Sequence, residues 1–313
     1  MDVKSFLKSI FADDMFNFDV FIKLKNRDEL QRIQLYEGDP RKIDDSENLK
    51  GKLRKDIRDY IISSYLSDET EYTASENIAN NQNVYYIISQ SNQYKPFEFL
   101  NLELENAPVF DDREISNVKG VVFKFRRGDS VLWAYQHTYL VTVPKSANKY
   151  LLTRQAGNCY KELDKQVFPI SKKVDILVIG EDIITNNIKM MENQFALDSF
   201  IRNEANSVMN TIVECDFLGD IAVLSKYVNG DKLSYSKKLM RIKDSPVLRM
   251  SSTKLMKKIQ ILPYYSDAIK IENNKIQITT KKQVDIFIKM LNDDFVKSEL
   301  TDTNYDAEVK KIN

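Results

Sequence analysis

Residues 120–143 read GVVFKFRRGDSVLWAYQHTYLVTV, and this stretch predicts a long β-hairpin. Its arms, 120–126 and 131–143, are rich in Val, Phe, Tyr and Leu, which favour extended backbone. They flank the turn RGDS, 127–130, where a glycine lies between polar residues. Because a hairpin is stable only when further strands or helices pack against it, the neighbouring sequence should supply them.

The sequence before the hairpin predicts more strands and one helix. Apolar and polar residues alternate around a polar turn at Asn26 to Asp28, and two later stretches are also predicted to be strands. These strands are predicted at 18–25, 30–36, 84–89 and 97–104. An amphipathic helix is predicted at 46–66, with Asp44 and Glu47 spaced as in a capping box.

The sequence after the hairpin changes from strand patterns to helical spacing near Asn186. Strands are predicted at 167–170, 174–179 and 183–184, helices at 189–196, 199–214 and 221–228, and a short hairpin at 269–278. A last helix should follow the capping pair Thr280 and Gln283. The predicted fold class is α+β, with a strand-rich domain at 1–150 and a domain of helices with a small sheet at 151–313.

Composition indicates a globular protein of the cytoplasm. The chain has 313 residues, of which 42% are hydrophobic, and its two cysteines are too few for a disulfide framework. No apolar run approaches the ~18 residues that span a bilayer, and the first residues lack the pattern of a signal peptide. We therefore expect membrane association only through a partner.

The residues needed by common catalytic sites are missing from the sequence. His137 is the only histidine, and GxSxG, GxxxxGK[ST] and GxGxxG motifs are absent. We therefore expect no catalytic residue, no cofactor and no metal site.

The alternative is a divergent nuclease that uses unrecognised carboxylates. Glu308 and Lys310 have ExK spacing, and Glu181 and Asp182 follow Gly180. A polar tail and a polar turn are the simpler interpretations of these residues.

Charge is distributed unevenly, although the formal net charge of the whole chain is zero. Between residues 231 and 282, thirteen Lys or Arg residues face four Asp or Glu residues, whereas residues 1–120 have a net charge of −7. Such asymmetry favours a polyanion-binding surface in one region and a different role in the other. An acidic protein partner or an anionic membrane would also suit the basic segment.

Helical spacing within this segment groups its cations on outer faces. Lys254, Lys257 and Lys258 stand at i, i+3 and i+4, and Lys237, Lys238 and Arg241 repeat that spacing. Two basic helices followed by a hairpin resemble a winged helix, although a further helix follows the hairpin. The predicted DNA-binding residues are Lys237, Lys238, Arg241, Lys243, Arg249, Lys254, Lys257, Lys258, Lys270, Lys275, Lys281 and Lys282.

Lysine outnumbers arginine eleven to two in the basic segment. Lysine acts as a point charge on phosphate, whereas bidentate reading of guanine favours arginine. The expected ligand is therefore double-stranded DNA, held through its backbone with little sequence preference.

The second half of the sequence resembles the KwaB family. The resemblance rests on DILVIG at 175–180, IITN at 183–186, the helix that contains Phe195, and SELTD at 298–302 followed by Tyr305. It covers about residues 160–310 and implies a subunit of the two-component Kiwa antiphage system. It further implies a cytoplasmic DNA-binding protein that forms dimers and joins the small membrane protein KwaA at the inner membrane. No catalytic motif of that family is available to carry over.

The acidic first part is expected to serve self-association or contact with the membrane partner. Like charge would repel phosphate, and the cytoplasmic surfaces of membrane proteins are rich in Lys and Arg. The residues proposed for this contact are Asp13, Asp14, Asp111, Asp112 and Glu114.

Overall fold

The computed structural model describes residues 2–35, 48–74, 83–101, 104, 106–138, 152–154, 160–162, 169–266, 268–297 and 304–306. The described residues form two compact units, one that ends at Ile188 and one that begins at Lys189. The first is rich in strands and the second in helices, so the predicted α+β class is confirmed.

The first unit is built on one large sheet. Its elements are α1 (Val3–Ile10), β1 (Asn17–Leu24), β2 (Leu30–Arg32), α2 (Leu49–Tyr65), β3 (Glu71–Ala74), β4 (Val84–Ser89), β5 (Val118–Arg127), β6 (Ser130–His137), β7 (Leu152–Arg154), β8 (Tyr160–Glu162), β9 (Ile176–Ile179) and β10 (Asp182–Thr185). The sheet has eight strands in the order β2-β1-β5-β6-β9-β10-β4-β3. Among the described strands of this sheet, only β3 and β4 pair in parallel.

The predicted hairpin at the centre of this sheet is confirmed. β5 and β6 pair in antiparallel fashion from Gly120 opposite His137 to Arg127 opposite Ser130. Gly128 in the turn has a φ of +56°, a conformation that residues with a side chain rarely adopt. The predicted second arm runs on to residue 143, and its part beyond 138 lies outside the described residues.

The predicted amphipathic helix is also present, as α2. Leu53, Ile57 and Ile61 are buried against the sheet with spacings of four residues. Asn48 caps its first turn by accepting a hydrogen bond from the Gly51 amide at 2.7 Å. The predicted capping pair, Asp44 with Glu47, lies outside the described residues.

Three sequence-based assignments differ from the structure. Residues 169 and 170, the described part of the strand predicted at 167–170, lie in no strand. The strand predicted at 97–104 is wrong, because Glu98–Asn101 is a short 3-10 helix. The buried residues there, Phe97, Leu100 and Leu104, are three and four residues apart, which suits a helical turn better than strand alternation.

The domain boundary predicted near residue 150 also differs, because β9 and β10 complete the sheet of the first unit. Leu177 of β9 lies opposite Ala134 of β6, and Ile184 of β10 lies opposite Ile87 of β4. Leu177 and Ile184 are fully buried in the core of the first unit. The two units therefore divide at Ile188.

The second unit is mainly helical. Its elements are α3 (Ile188–Gln194), α4 (Leu197–Glu214), α5 (Ala222–Val228), α6 (Ser234–Arg241), α7 (Ser252–Ile261), α8 (Pro263–Ser266), β11 (Lys270–Glu272), β12 (Lys275–Gln277), α9 (Lys281–Leu291), β13 (Phe295–Lys297) and β14 (Asn304–Asp306). Side chains from α4 to α9 share one apolar core, in which Phe217, Ile276 and Phe287 are fully buried. The predicted capping box at the start of α9, Thr280 with Gln283, is confirmed.

Candidate nucleic-acid interface

The twelve predicted DNA-binding residues all lie in the second unit and within the described residues. They are distributed over α6 with the turn that follows it, the 3-10 helix Pro246–Arg249, α7, the hairpin β11–β12, and the start of α9. Some of them form ion pairs with acidic side chains, and others are exposed without such a pair among the described residues. Arg241 is half-buried beside a small cavity.

Several of the predicted cations take part in ion pairs within the unit. Lys237 of α6 lies 2.7 Å from Glu192 of α3, and the two side chains are only 13% and 17% exposed. A pair this enclosed links α3 to α6, and the loss of either partner would leave a buried charge uncompensated, so little of the lysine is available to a ligand. The remaining pairs are Lys238 with Asp285 at 3.9 Å, Lys243 with Glu204 at 2.7 Å, Lys270 with Glu272 at 2.6 Å and Lys275 with Asp216 at 2.6 Å.

Helix α7 presents the most regular cationic surface in the unit. Ser251 caps it, accepting a hydrogen bond from the Lys254 amide at 3.4 Å. Leu255, Met256 and Ile259 are buried in the core. The opposite face bears three exposed lysines, which form no ion pair with any described residue: Lys254, Lys257 and Lys258.

Three further cations share this exposure. Arg249 precedes α7, and Lys281 and Lys282 are the first two residues of α9. Among the ion pairs between described residues, none includes these three. We call Arg249, Lys254, Lys257, Lys258, Lys281 and Lys282 the exposed basic set. Arg241, by contrast, is half-buried and lines a small cavity with Lys238 and Asp294.

Three of the lysines in this set occupy helix positions that are unfavourable for a cation. Lys254 is the third residue of α7, and Lys281 and Lys282 open α9, whose first turn contains no acidic residue. The amino end of a helix carries partial positive charge, so cations there are unfavourable and acids are preferred. Residues that are unfavourable for the local secondary structure occur most often at functional sites, such as binding surfaces.

The hairpin next to α7 only partly resembles a wing. β11 and β12 pair over three residues, α7 contacts β12, and Leu218 forms a parallel bridge with Ile276. The two hairpin lysines form ion pairs, and α9 follows the hairpin, unlike the simple winged-helix order. The winged-helix arrangement stays a prediction.

The described residues around His137 do not form a catalytic triad. Asp175 accepts a hydrogen bond from the backbone amide of His137 at 2.8 Å, so this bond does not orient the imidazole ring. The Tyr135 hydroxyl lies 3.4 Å from the ring Nδ1. Burial lowers the pKa of His137 and raises the pKa of Asp175. His137, at the end of β6, and Asp175, just before β9, are both half-buried.

Of the other carboxylates considered for catalysis, Asp182 has a side-chain partner and Glu181 is an exposed turn residue. Gly180 and Glu181 form the turn between β9 and β10, and Asp182 accepts a hydrogen bond from the Ser89 hydroxyl at 2.8 Å. Within the described parts of the chain, no three His, Cys, Asp or Glu side chains are grouped to hold a metal ion. Glu308 and Lys310 lie outside the described residues.

The acidic residues suggested for partner contact are largely neutralised by neighbouring arginines. These pairs are Asp13 with Arg127 at 2.7 Å, Asp14 with Arg58, Asp111 with Arg113 at 2.5 Å, and Glu114 with Arg27 at 2.9 Å. The bond to Arg113 holds the pKa of Asp111 at about 2. Most of this acidity is thus balanced within the first unit.

Comparison with known proteins places the chain in a family. A family model described as Kiwa protein KwaB-like matches residues 115–301, which is more than half of the sequence. The chain belongs to the KwaB-like family. The resemblance to this family, noted over about residues 160–310, is thereby confirmed. The matched region begins earlier, just before β5, and ends at residue 301.

A curated relative from Escherichia coli O55:H7, named Kiwa protein KwaB, is 27% identical over 197 residues. The match covers 61% of this chain and 62% of that protein. No solved structure matches the chain. In the part of this KwaB-like chain that the structure describes, no helix combines the length and apolarity that crossing a bilayer requires.

Proposed function

We propose that this KwaB-like chain is a non-enzymatic DNA-binding component of a bacterial antiphage defence system of the Kiwa type. The observation that carries DNA binding is the lysine face of α7, where Lys254, Lys257 and Lys258 project from one side of a helix without an acidic partner among the described residues. Family membership supports the Kiwa assignment.

The composition of the exposed basic set favours the backbone of DNA over its bases. The set contains five lysines and one arginine, Arg249. Lysine lacks the planar fork with which arginine reads guanine, and it neutralises phosphate as a compact charge. Binding should therefore be positioned by phosphates and carry little sequence preference.

The partners of the chain are also part of the proposal. We place it on the cytoplasmic side of the inner membrane, as a homodimer recruited by a small membrane protein of the KwaA type. Support comes from membership in the KwaB-like family. The ion-paired acids of the first unit do not single out a contact surface for that protein.

The salt dependence of DNA binding tests the proposal. If the six exposed cations each neutralise one phosphate, the slope of log K against log salt should be about −5, because each released counterion contributes about −0.9. Affinity for a 20-bp duplex should then fall about 1,000-fold between ~50 and ~200 mM salt, measured by fluorescence anisotropy. A slope near zero, or no binding at 50 mM, would remove phosphate recognition from the proposal.

The absence of catalysis is testable with the same protein. Supercoiled plasmid incubated with the chain and Mg²⁺ should remain uncut, because His137 is half-buried and its neighbour Asp175 is held by a backbone amide. His137→Ala should leave phage protection unchanged in cells that contain the complete system. Nicking by the purified protein, or loss of protection with normal expression of the variant, would favour the nuclease alternative.

A further inference from the structure

The basic face of α7 ends in exposed aliphatic side chains. Ile261 is 76% exposed and follows Lys257 by four residues and Lys258 by three, so helical spacing places it on the lysine face. Leu262, which ends the helix, is 46% exposed. Pro263 follows and favours an extended residue before it, so α7 stops there and the two aliphatic side chains lie at its tip.

Neither the stability of the fold nor the binding of phosphate explains why an exposed isoleucine occupies position 261. The apolar face that attaches α7 to the core consists of Leu255, Met256 and Ile259. A β-branched residue also has a lower helix propensity than lysine or glutamate, so an exposed helix position gains nothing from isoleucine. Water-exposed aliphatic surface among lysines is, however, suited to a ligand that is both anionic and apolar.

We propose that Ile261 and Leu262 form a wedge that enters a weakened base step of DNA, while the lysines of α7 hold the flanking phosphates. This inference rests on the proposed DNA binding and specifies the ligand as duplex DNA with disturbed stacking. Proteins that bend or kink DNA insert Ile, Leu or Phe side chains between bases in this way. A mismatched step costs less to unstack than a paired one, so it is the preferred target.

The geometry favours DNA over an anionic membrane. A helix that lies in a bilayer interface exposes a broad apolar face, often with Trp or Phe, opposite its charges. The broad apolar face of α7 is buried in the core, and only Ile261 and Leu262 remain at the tip. Two aliphatic side chains match the size of a base-step wedge.

The test compares two DNA ligands that carry the same number of phosphates. One is an intact 20-bp duplex and the other is identical except for two adjacent mismatches at its centre. The full chain should bind the mismatched duplex about tenfold more tightly in fluorescence anisotropy, because wedge insertion then avoids most of the unstacking cost. In the double variant Ile261→Gln, Leu262→Gln, this ratio should fall to about one, with affinity for the intact duplex nearly unchanged.

The matched control is Val213→Gln, which changes another exposed apolar residue of the second unit, 55% exposed on α4. It should keep the preference for mismatches. Equal affinity of the unmodified chain for both duplexes would contradict the wedge but not DNA binding. No affinity for either duplex would contradict DNA binding itself.

Binding to vesicles rich in phosphatidylserine is the last part of the test. Vesicle binding that the double variant loses, with an unchanged mismatch preference, would assign the tip to a membrane.

Discussion

Changing Lys254, Lys257 and Lys258 together to Glu is expected to abolish DNA binding at ~150 mM salt. The three side chains are exposed on one face of α7, so the substitution replaces attraction to phosphate with repulsion over the whole face. Affinity should fall at least about 100-fold, and the slope of log K against log salt should decrease in magnitude by about 3, which fluorescence anisotropy measures.

The triple variant should stay folded. Exposed charges contribute little to the free energy of unfolding, and none of the three lysines pairs with an acid among the described residues. Lys254→Glu would also complete a capping box with Ser251, and an acid is preferred in the first turn of a helix. Loss of binding with unchanged or slightly raised stability would therefore separate recognition from folding.

The control reverses three exposed lysines that lie outside the basic segment: Lys8, Lys95 and Lys226. This triple variant changes the net charge by the same amount and should retain most of the DNA affinity. If both variants lose binding equally, net charge alone governs association. If the α7 variant binds like the unmodified chain, the interface lies elsewhere.

The parts of the fold that depend on short-range patterns could be predicted from the sequence. The hairpin β5–β6, helix α2 and the capping box of α9 each arise from residues a few positions apart. The place of β9 and β10 could not be predicted in this way. Their partners, β6 and β4, lie far away in the chain, and an apolar strand pattern does not specify which sheet it joins.

In the candidate site, too, short-range patterns could be predicted from the sequence, whereas contacts between distant residues could not. Helical spacing correctly placed the lysines of α7 on an outer face, because it depends only on positions within the helix. Which other cations are engaged depends on remote acids: Glu192 is 45 residues from Lys237, Glu204 is 39 from Lys243, and Asp216 is 59 from Lys275. Charge counting includes such lysines in a binding surface, although the fold uses them in ion pairs.

Leu177→Ala is expected to destabilise the first unit by about 2–5 kcal/mol, since the side chain is fully buried in the core of the large sheet. Trp133, the only tryptophan of the chain, lies in β6, which pairs with β9, and it is 9% exposed. Its fluorescence therefore reports unfolding of this sheet. The urea midpoint of the Trp133 transition should fall by about 1 M or more.

Val213→Ala serves as the control for truncation itself. Val213 is 55% exposed on α4, so the Trp133 transition should stay within about 0.5 kcal/mol of the unmodified chain. A boundary near residue 150 would place Leu177 in a separate C-terminal domain, and its truncation would then leave the Trp133 transition unchanged. A large shift would instead support β9 as an integral strand of the first unit, because Trp133 lies in β6, the strand that pairs with β9.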